Sequence, residues 1–140
     1  MELVRTLLDD GTLALAQLHG QEDESYIREL KTYTDKLIIK AFSIKTAEDI
    51  EKALQSPADY ILLDQGGGGT GKTFDWSLIP EIQRPFFLAG GIGASNLGQA
   101  IREIHPYAVD LSSSVETEKR KDPMKIRQVV DIVREIRIIN

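Results

Sequence analysis

Residues 37–64 read LIIKAFSIKTAEDIEKALQSPADYILLD, and the fold is decided here. Leu37 to Phe42 is an apolar, β-branched run of strand length. Thr46 to Leu54 carries helical periodicity, and Ala58 to Leu63 returns to a strand that ends at Asp64. Thr46 with Asp49 three residues on gives a capping-box-like start, weakened because Glu or Gln is the usual partner. Strand, helix and strand in so few residues form a βα unit whose crossover makes the two strands parallel. Both strands are nearly continuous in apolar residues, as expected when a sheet is covered by helices.

The same alternation extends both ways. Upstream, Leu3, Val4, Leu7 and Leu8 give a first helix that Gly11 ends, Leu13 to Leu18 a short strand, and Gln21 to Tyr33 a helix with Tyr26, Ile27 and Leu30 on one face. Downstream, Pro85 to Ala89 is a strand, Ser95-Asn96-Leu97 opens a helix to about Ile104, and Tyr107 to Leu111 is the last strand. Asp122-Pro123 starts a final helix as N-cap and first helical residue, with a stripe of Ile126, Val129, Val130, Val133 and Ile136. Five strands and five longer helices result, an α/β class in one domain over residues 1–140. Five strands suit an open doubly wound sheet and are too few to close a barrel of eight.

Composition narrows the function. The chain has 140 residues, 41% of them apolar and 28% charged, with a formal charge of −5. That acidic balance argues against a nucleic-acid surface. There is no cysteine, so disulfides, thiolate metal sites and thiol catalysis by these residues are excluded. Two histidines, His19 and His105, leave little for a histidine-rich metal site. No apolar run approaches the roughly 20 residues of a membrane span. The first residues lack the apolar core of a signal peptide, and a cytoplasmic location is expected.

In either architecture, ligands bind beyond the carboxyl ends of parallel strands. Gln17, His19 and Gly20 follow the first strand, Phe42 and Ser43 the second, and Asp64 with a glycine loop the third. Gly90 and Gly91 follow the fourth, and Ser112, Ser113 and Ser114 the fifth. The opposite ends offer Asp35, Lys36, Pro57 and Arg84. Gly66 to Thr73 matches the phosphate-cradling pattern G-x-x-x-x-G-K-[ST]. That motif needs a long helix starting at the lysine, and Pro80 cuts this one short. The loop is better read as a mobile segment, or as a lid closing near Asp64.

Gly90-Gly91 and Ser112-Ser113 carry more together. Paired glycines let backbone amides approach an anion, and the serines add hydroxyl and amide donors. Loops after the last two strands, with a short extra helix nearby, hold phosphate in many barrels; residues 115–121 are expected to supply that helix. Alone, Gly90-Gly91 reads equally well as a tight turn. Asp64 is an N-cap, a solvated loop residue or a general acid, and a covering lid would favour its neutral form and suit it to acid work. His19 is a binding group or a satisfied structural histidine. His105, before Pro106 at the opposite end, is expected to be structural, and Trp76 a core anchor.

Read together, Gln17-Leu18-His19-Gly20, Leu62-Leu63-Asp64, Gly69 to Trp76, Phe87 to Ile92 with Asn96, Val109 to Glu116 and Lys121-Asp122 resemble phosphoribosylanthranilate isomerases. The resemblance covers essentially the whole chain. It implies a (β/α)8 barrel of which these residues are a part, from the family's third helix and fourth strand to its eighth strand, with helices outside. It also implies an Amadori rearrangement of phosphoribosylanthranilate to carboxyphenylamino-deoxyribulose phosphate in tryptophan biosynthesis, with no metal or organic cofactor. Asp64 matches the family's general acid, Gln17, His19 and Asp110 match substrate-binding positions, and Gly90, Gly91, Ser112 and Ser113 match the phosphate loops. The family's general base is a cysteine on the first strand, and an arginine that holds the anthranilate carboxylate also lies outside the matching part; without the base, the isolated chain is expected to be inactive. The family's serine-serine-glycine is Ser112-Ser113-Ser114 here, and four glycines loosen the lid. Open edges at both ends of a partial sheet invite a homo-oligomer or a complementing N-terminal fragment. The competing readings are a non-catalytic phosphate-ligand-binding half-barrel, folded even as an open flavodoxin-like sheet, and another phosphosugar barrel enzyme.

Overall fold

A computed structural model describes residues 1–65 and 75–139. Five parallel strands form one sheet in simple chain order: β1 (Leu15–Leu18), β2 (Leu37–Ser43), β3 (Tyr60–Asp64), β4 (Phe86–Leu88) and β5 (Ala108–Val109). Between and around them lie α1 (Glu2–Asp9), α2 (Glu24–Tyr33), α3 (Ala47–Gln55), α4 (Leu97–Ile104) and α5 (Pro123–Ile139). The glycine-rich segment of residues 66–74, with its phosphate-cradle match and expected lid, lies outside the described residues.

Strand pleating sorts the side chains onto two faces. The register Leu18–Lys40–Ile61–Phe86 places these residues on one face, with Leu63 and Leu88 beside them. On that face Ile61, Leu63, Phe86 and Leu88 pack with Ile50 and Ala53 of α3, Leu97 and Ala100 of α4 and Val129 of α5. Ala16, Leu18 and Ile38 continue it against Leu8 of α1 and Ile27 and Leu30 of α2. Each buried Ile, Leu, Val or Phe among them contributes roughly 1.5–3 kcal/mol by leaving water. The opposite face carries a smaller cluster of Ile39, Ala41, Leu62 and Ala89, flanked by Tyr60 and Phe87. The ring of Tyr107 stacks there on those of Tyr60 and Phe87, which are tilted against each other, at centroid distances of 5.5–6.1 Å.

All five helices therefore cover one face. An open doubly wound sheet needs helices on both, so among the described residues the flavodoxin-like alternative is overturned. The expected capping box does form: Thr46 Oγ1 accepts the Asp49 amide at 3.4 Å, and Asp49 Oδ2 accepts the Thr46 amide at 3.0 Å. A shorter carboxylate suffices for the motif. Asp122 caps α5, accepting the Met124 amide at 2.9 Å. The stripe on α5 is only half used: Val129 and Ile136 are buried, whereas Ile126 and Val130 are exposed.

A second expectation is corrected. Residues 115–121 do not form a short helix; the extra turn is a 3-10 turn at Ser113–Val115, followed by an antiparallel hairpin of β6 (Glu116–Thr117) and β7 (Arg120–Lys121). Glu118 and Lys119 take positive φ of 51° and 62° at its tip, the conformation of a tight two-residue hairpin turn. Glu-Lys is not the Asn-Gly signature of such turns, which is why the pattern concealed it.

Candidate functional site

At the carboxyl ends of the strands lies a cavity of about 570 Å³. Its walls include His19, Asp64, Gly90, Gly91, Asp110, Ser112 and Ser113. Seven of the eight singled-out residues thus share one space. The eighth, Gln17, is exposed on β1 and is not among the residues lining this cavity.

Asp64 closes β3, and its side chain is 17% exposed. The Ile44 amide donates to its carbonyl at 2.7 Å, which ties the end of β2 to the end of β3. His19 follows β1 directly, with its Nε2 3.7 Å from Asp64 Oδ2. That separation exceeds a hydrogen bond, and the imidazole is 60% exposed to the cavity mouth. A second recess of about 320 Å³ adjoins at this point and also borders Lys40, Phe42 and Ser43.

The turn after β4 is shaped by glycine. Gly90 has φ +82°, and a Cβ there would sit 2.6 Å from Asp64 Oδ1 and 2.6 Å from the Gln65 amide nitrogen. Only a residue without a side chain lets β3 and the turn approach so closely. Asn96 then laces the turn, accepting the Gly93 amide at 2.9 Å and donating to the Gly91 carbonyl at 3.1 Å. A Cβ on Gly93 would meet the Ser114 Cβ at 3.0 Å, so the two turns are in direct contact.

The serine turn has its own support. Lys121, delivered by the hairpin, donates to the Ser112 carbonyl at 3.0 Å and to Glu116 Oε1 at 2.7 Å. Lys125 donates to the Glu116 carbonyl at 2.6 Å. Lys121 thus braces the turn from behind, with its charge paired to Glu116, while Lys125 holds the backbone just after it. Lys121-Asp122 stands out in the sequence, but this reach back across nine residues depends on the hairpin and has no local signal. The Thr117 hydroxyl donates to Asp122 and holds that carboxyl below the usual carboxylate range.

His105 lies at the other end, in the left-handed conformation that caps α4, in keeping with a structural role. Trp76 packs against the main core. Its indole N–H is buried with no partner among the described residues. Among the described residues, no group of three or more His, Cys, Asp or Glu could hold a metal ion, and no helix is long and apolar enough to cross a membrane.

Known proteins resemble this chain in sequence and in fold. A model of the N-(5'-phosphoribosyl)anthranilate (PRA) isomerase family matches residues 1–132. The N-(5'-phosphoribosyl)anthranilate isomerase of Endomicrobium trichonymphae is 45% identical over 134 residues, covering 93% of this chain and 66% of that protein. The chain thus spans just under two thirds of that relative's length. The crystal structure of phosphoribosyl anthranilate isomerase from Thermotoga maritima aligns with a TM-score of 0.80 and 35% identity, over 96% of this chain and 68% of that one. A phosphoribosyl anthranilate isomerase in complex with reduced 1-(o-carboxyphenylamino)-1-deoxyribulose 5-phosphate aligns with a TM-score of 0.77 and 32% identity, over 96% of this chain and 66% of that one. The chain belongs to the N-(5'-phosphoribosyl)anthranilate isomerase family.

Proposed function

We propose that these residues supply the acid and phosphate-binding half of an isomerase site in tryptophan biosynthesis. The observation that carries this reading is one cavity bordered by Asp64 and by both small-residue turns. The 5-phosphate of N-(5'-phosphoribosyl)anthranilate is held by the amides and hydroxyls of Gly90, Gly91, Ser112 and Ser113. Asp64, protonated, gives its proton to the ribose ring oxygen as the bond from C1 breaks, and the anilino nitrogen lone pair forms the Schiff base. His19 and Asp110 contact the opened sugar. A base then removes the C2 proton to give the enolamine, which tautomerises to the aminoketose.

An acid and a base must share the site. By the resemblance, that base is a cysteine, and the chain has none. In this reading the chain is a single incomplete barrel domain, its strands are the fourth to eighth of eight, and by itself it binds phosphate without turnover. The outer edges of β1 and β5 are where further strands pair, from an N-terminal segment or a second copy.

The test is a fusion of the N-terminal third of the Endomicrobium relative to this chain, assayed for conversion of phosphoribosylanthranilate. Turnover is expected from the fusion and not from the chain alone. Asp64→Asn is expected to lower it by at least about a hundredfold, the usual range for a general acid, while inorganic phosphate still binds. Retained turnover in that variant removes Asp64 from its role. A fusion that binds phosphate without turnover favours the non-catalytic phosphate-binding module. Size exclusion showing a monomer at low and high concentration rejects self-association.

A further inference from the structure

Among the described residues, Lys40 and Ser56 are the buried polar or charged side chains, Lys40 being 5% exposed. Lys40 lies on the helix-facing side of β2, in register with Leu18 and Ile61. That row is otherwise apolar, and a methionine would fill it without the desolvation an ammonium suffers. A buried ion pair is therefore a poor device for stability alone, and what it holds becomes the question.

Lys40 Nζ donates to the Gly20 carbonyl at 2.8 Å and to Glu22 Oε2 at 2.9 Å. The same carboxylate oxygen accepts the Gly20 amide at 2.9 Å. Both backbone polar groups of Gly20 are thus fixed by one pair of side chains. The carboxylate lies flat against the glycine, where a Cβ would meet Glu22 Oε1 at 2.9 Å. The hydrogen bond from Lys40 holds the Glu22 carboxyl below the usual carboxylate range, so it stays charged at neutral pH. His19 is the residue before Gly20 and the first beyond the end of β1, so the sheet itself does not fix it.

We propose that Lys40 and Glu22 are positioning residues, which clamp the turn after β1 so that the His19 imidazole faces Asp64. This rests on the reading of Asp64 as the acid. The two residues act through the backbone of Gly20 and touch no reacting atom. They convert a solvent-exposed turn into a rigid part of the cavity wall.

The chain's two histidines make the clamp measurable, because His105 at the far end of the sheet is an internal reference. In the 140-residue chain, Lys40→Met is expected to move and broaden the His19 ring resonances at fixed pH. Those of His105 stay in place, and exchange of the Gly20 amide speeds up by about tenfold or more, as for a lost protecting hydrogen bond. Glu22→Gln keeps the side chain's size and an acceptor for the Gly20 amide; it is expected to do the same to a smaller degree, and it decides the matter if Lys40→Met does not fold. Asp64→Asn is expected to move the His19 resonances while leaving Gly20 exchange unchanged. In the active fusion, Lys40→Met should lower kcat by about tenfold to a hundredfold, the scale of a misplaced group, with KM little changed. Unmoved His19 resonances in the Lys40 and Glu22 variants overturn the proposal, and so does an unmoved His19 in Asp64→Asn. An inactive native fusion defeats the functional reading instead, and the resonances still judge the clamp.

Discussion

The two ends of the sheet use polar side chains for different purposes. At the amino ends, Arg84 donates to the carbonyls of Leu54 at 3.2 Å, Ser56 at 2.8 Å, and Ala58. Nearby, Lys31 pairs with Asp59 at 2.5 Å, and Asp59 accepts the Ile38 amide at 2.8 Å. These groups saturate loop backbone and bind neighbouring strands together. At the carboxyl ends, Asp64, Asp110, Ser112 and Ser113 border a cavity instead. In the proposed reading, function sits where side chains converge on a space, and stability where they converge on carbonyls. The Lys40–Glu22 pair crosses this division, since it saturates backbone at the functional end.

Gly90→Ala tests the division most severely, because it is a functional-end change with a structural cost. Left-handed strain and contact with Asp64 and Gln65 should lower stability by about 3 kcal/mol, read by urea unfolding, and inorganic phosphate binding should be lost. Arg84→Met comes next. Three carbonyls lose their donor, for about 2 kcal/mol. Phosphate affinity at the far end should stay within about threefold, since sites this far apart without shared partners act independently; a larger change would break the comparison.

Thr46→Ala should cost about 1 kcal/mol through the lost N-cap, again without effect on phosphate. The smallest effect is a pH dependence. Burial pushes the Asp59 carboxyl up, but the Lys31 ammonium and the Ile38 amide outweigh it and hold the group below its ordinary value. Its folded pKa is thus depressed relative to about 3.9 in the unfolded chain. The contribution is then fully present above about pH 4 and is lost as pH falls through the depressed value. Asp59→Asn should flatten the acid limb of the unfolding midpoint below about pH 4; an unchanged limb would place the acid sensitivity elsewhere.

Much of the fold was legible because its signals are local. The stretch from Leu37 to Asp64 carries its strand, cap, helix and strand in order, and each element formed within two residues of its reading. The rim residues were legible for the same reason, since a residue just past a parallel strand must lie at its carboxyl end. The hairpin after Val115 was not, because its turn lacks glycine and asparagine. The lacing of Asn96 to Gly91 and Gly93 and the reach of Lys121 to Ser112 were also hidden.

Periodicity, capping and the order of βα units were determined by the chain's own sequence, since each depends on residues within a few positions of one another. Which face the helices took, and which rim residues meet, was decided only in three dimensions. Lys40 reads as an ordinary charged residue until strand register sets it in an apolar row, 18 positions from the carboxylate that pairs with it. Such pairings follow from the close approach of distant segments, and no local pattern encodes that distance.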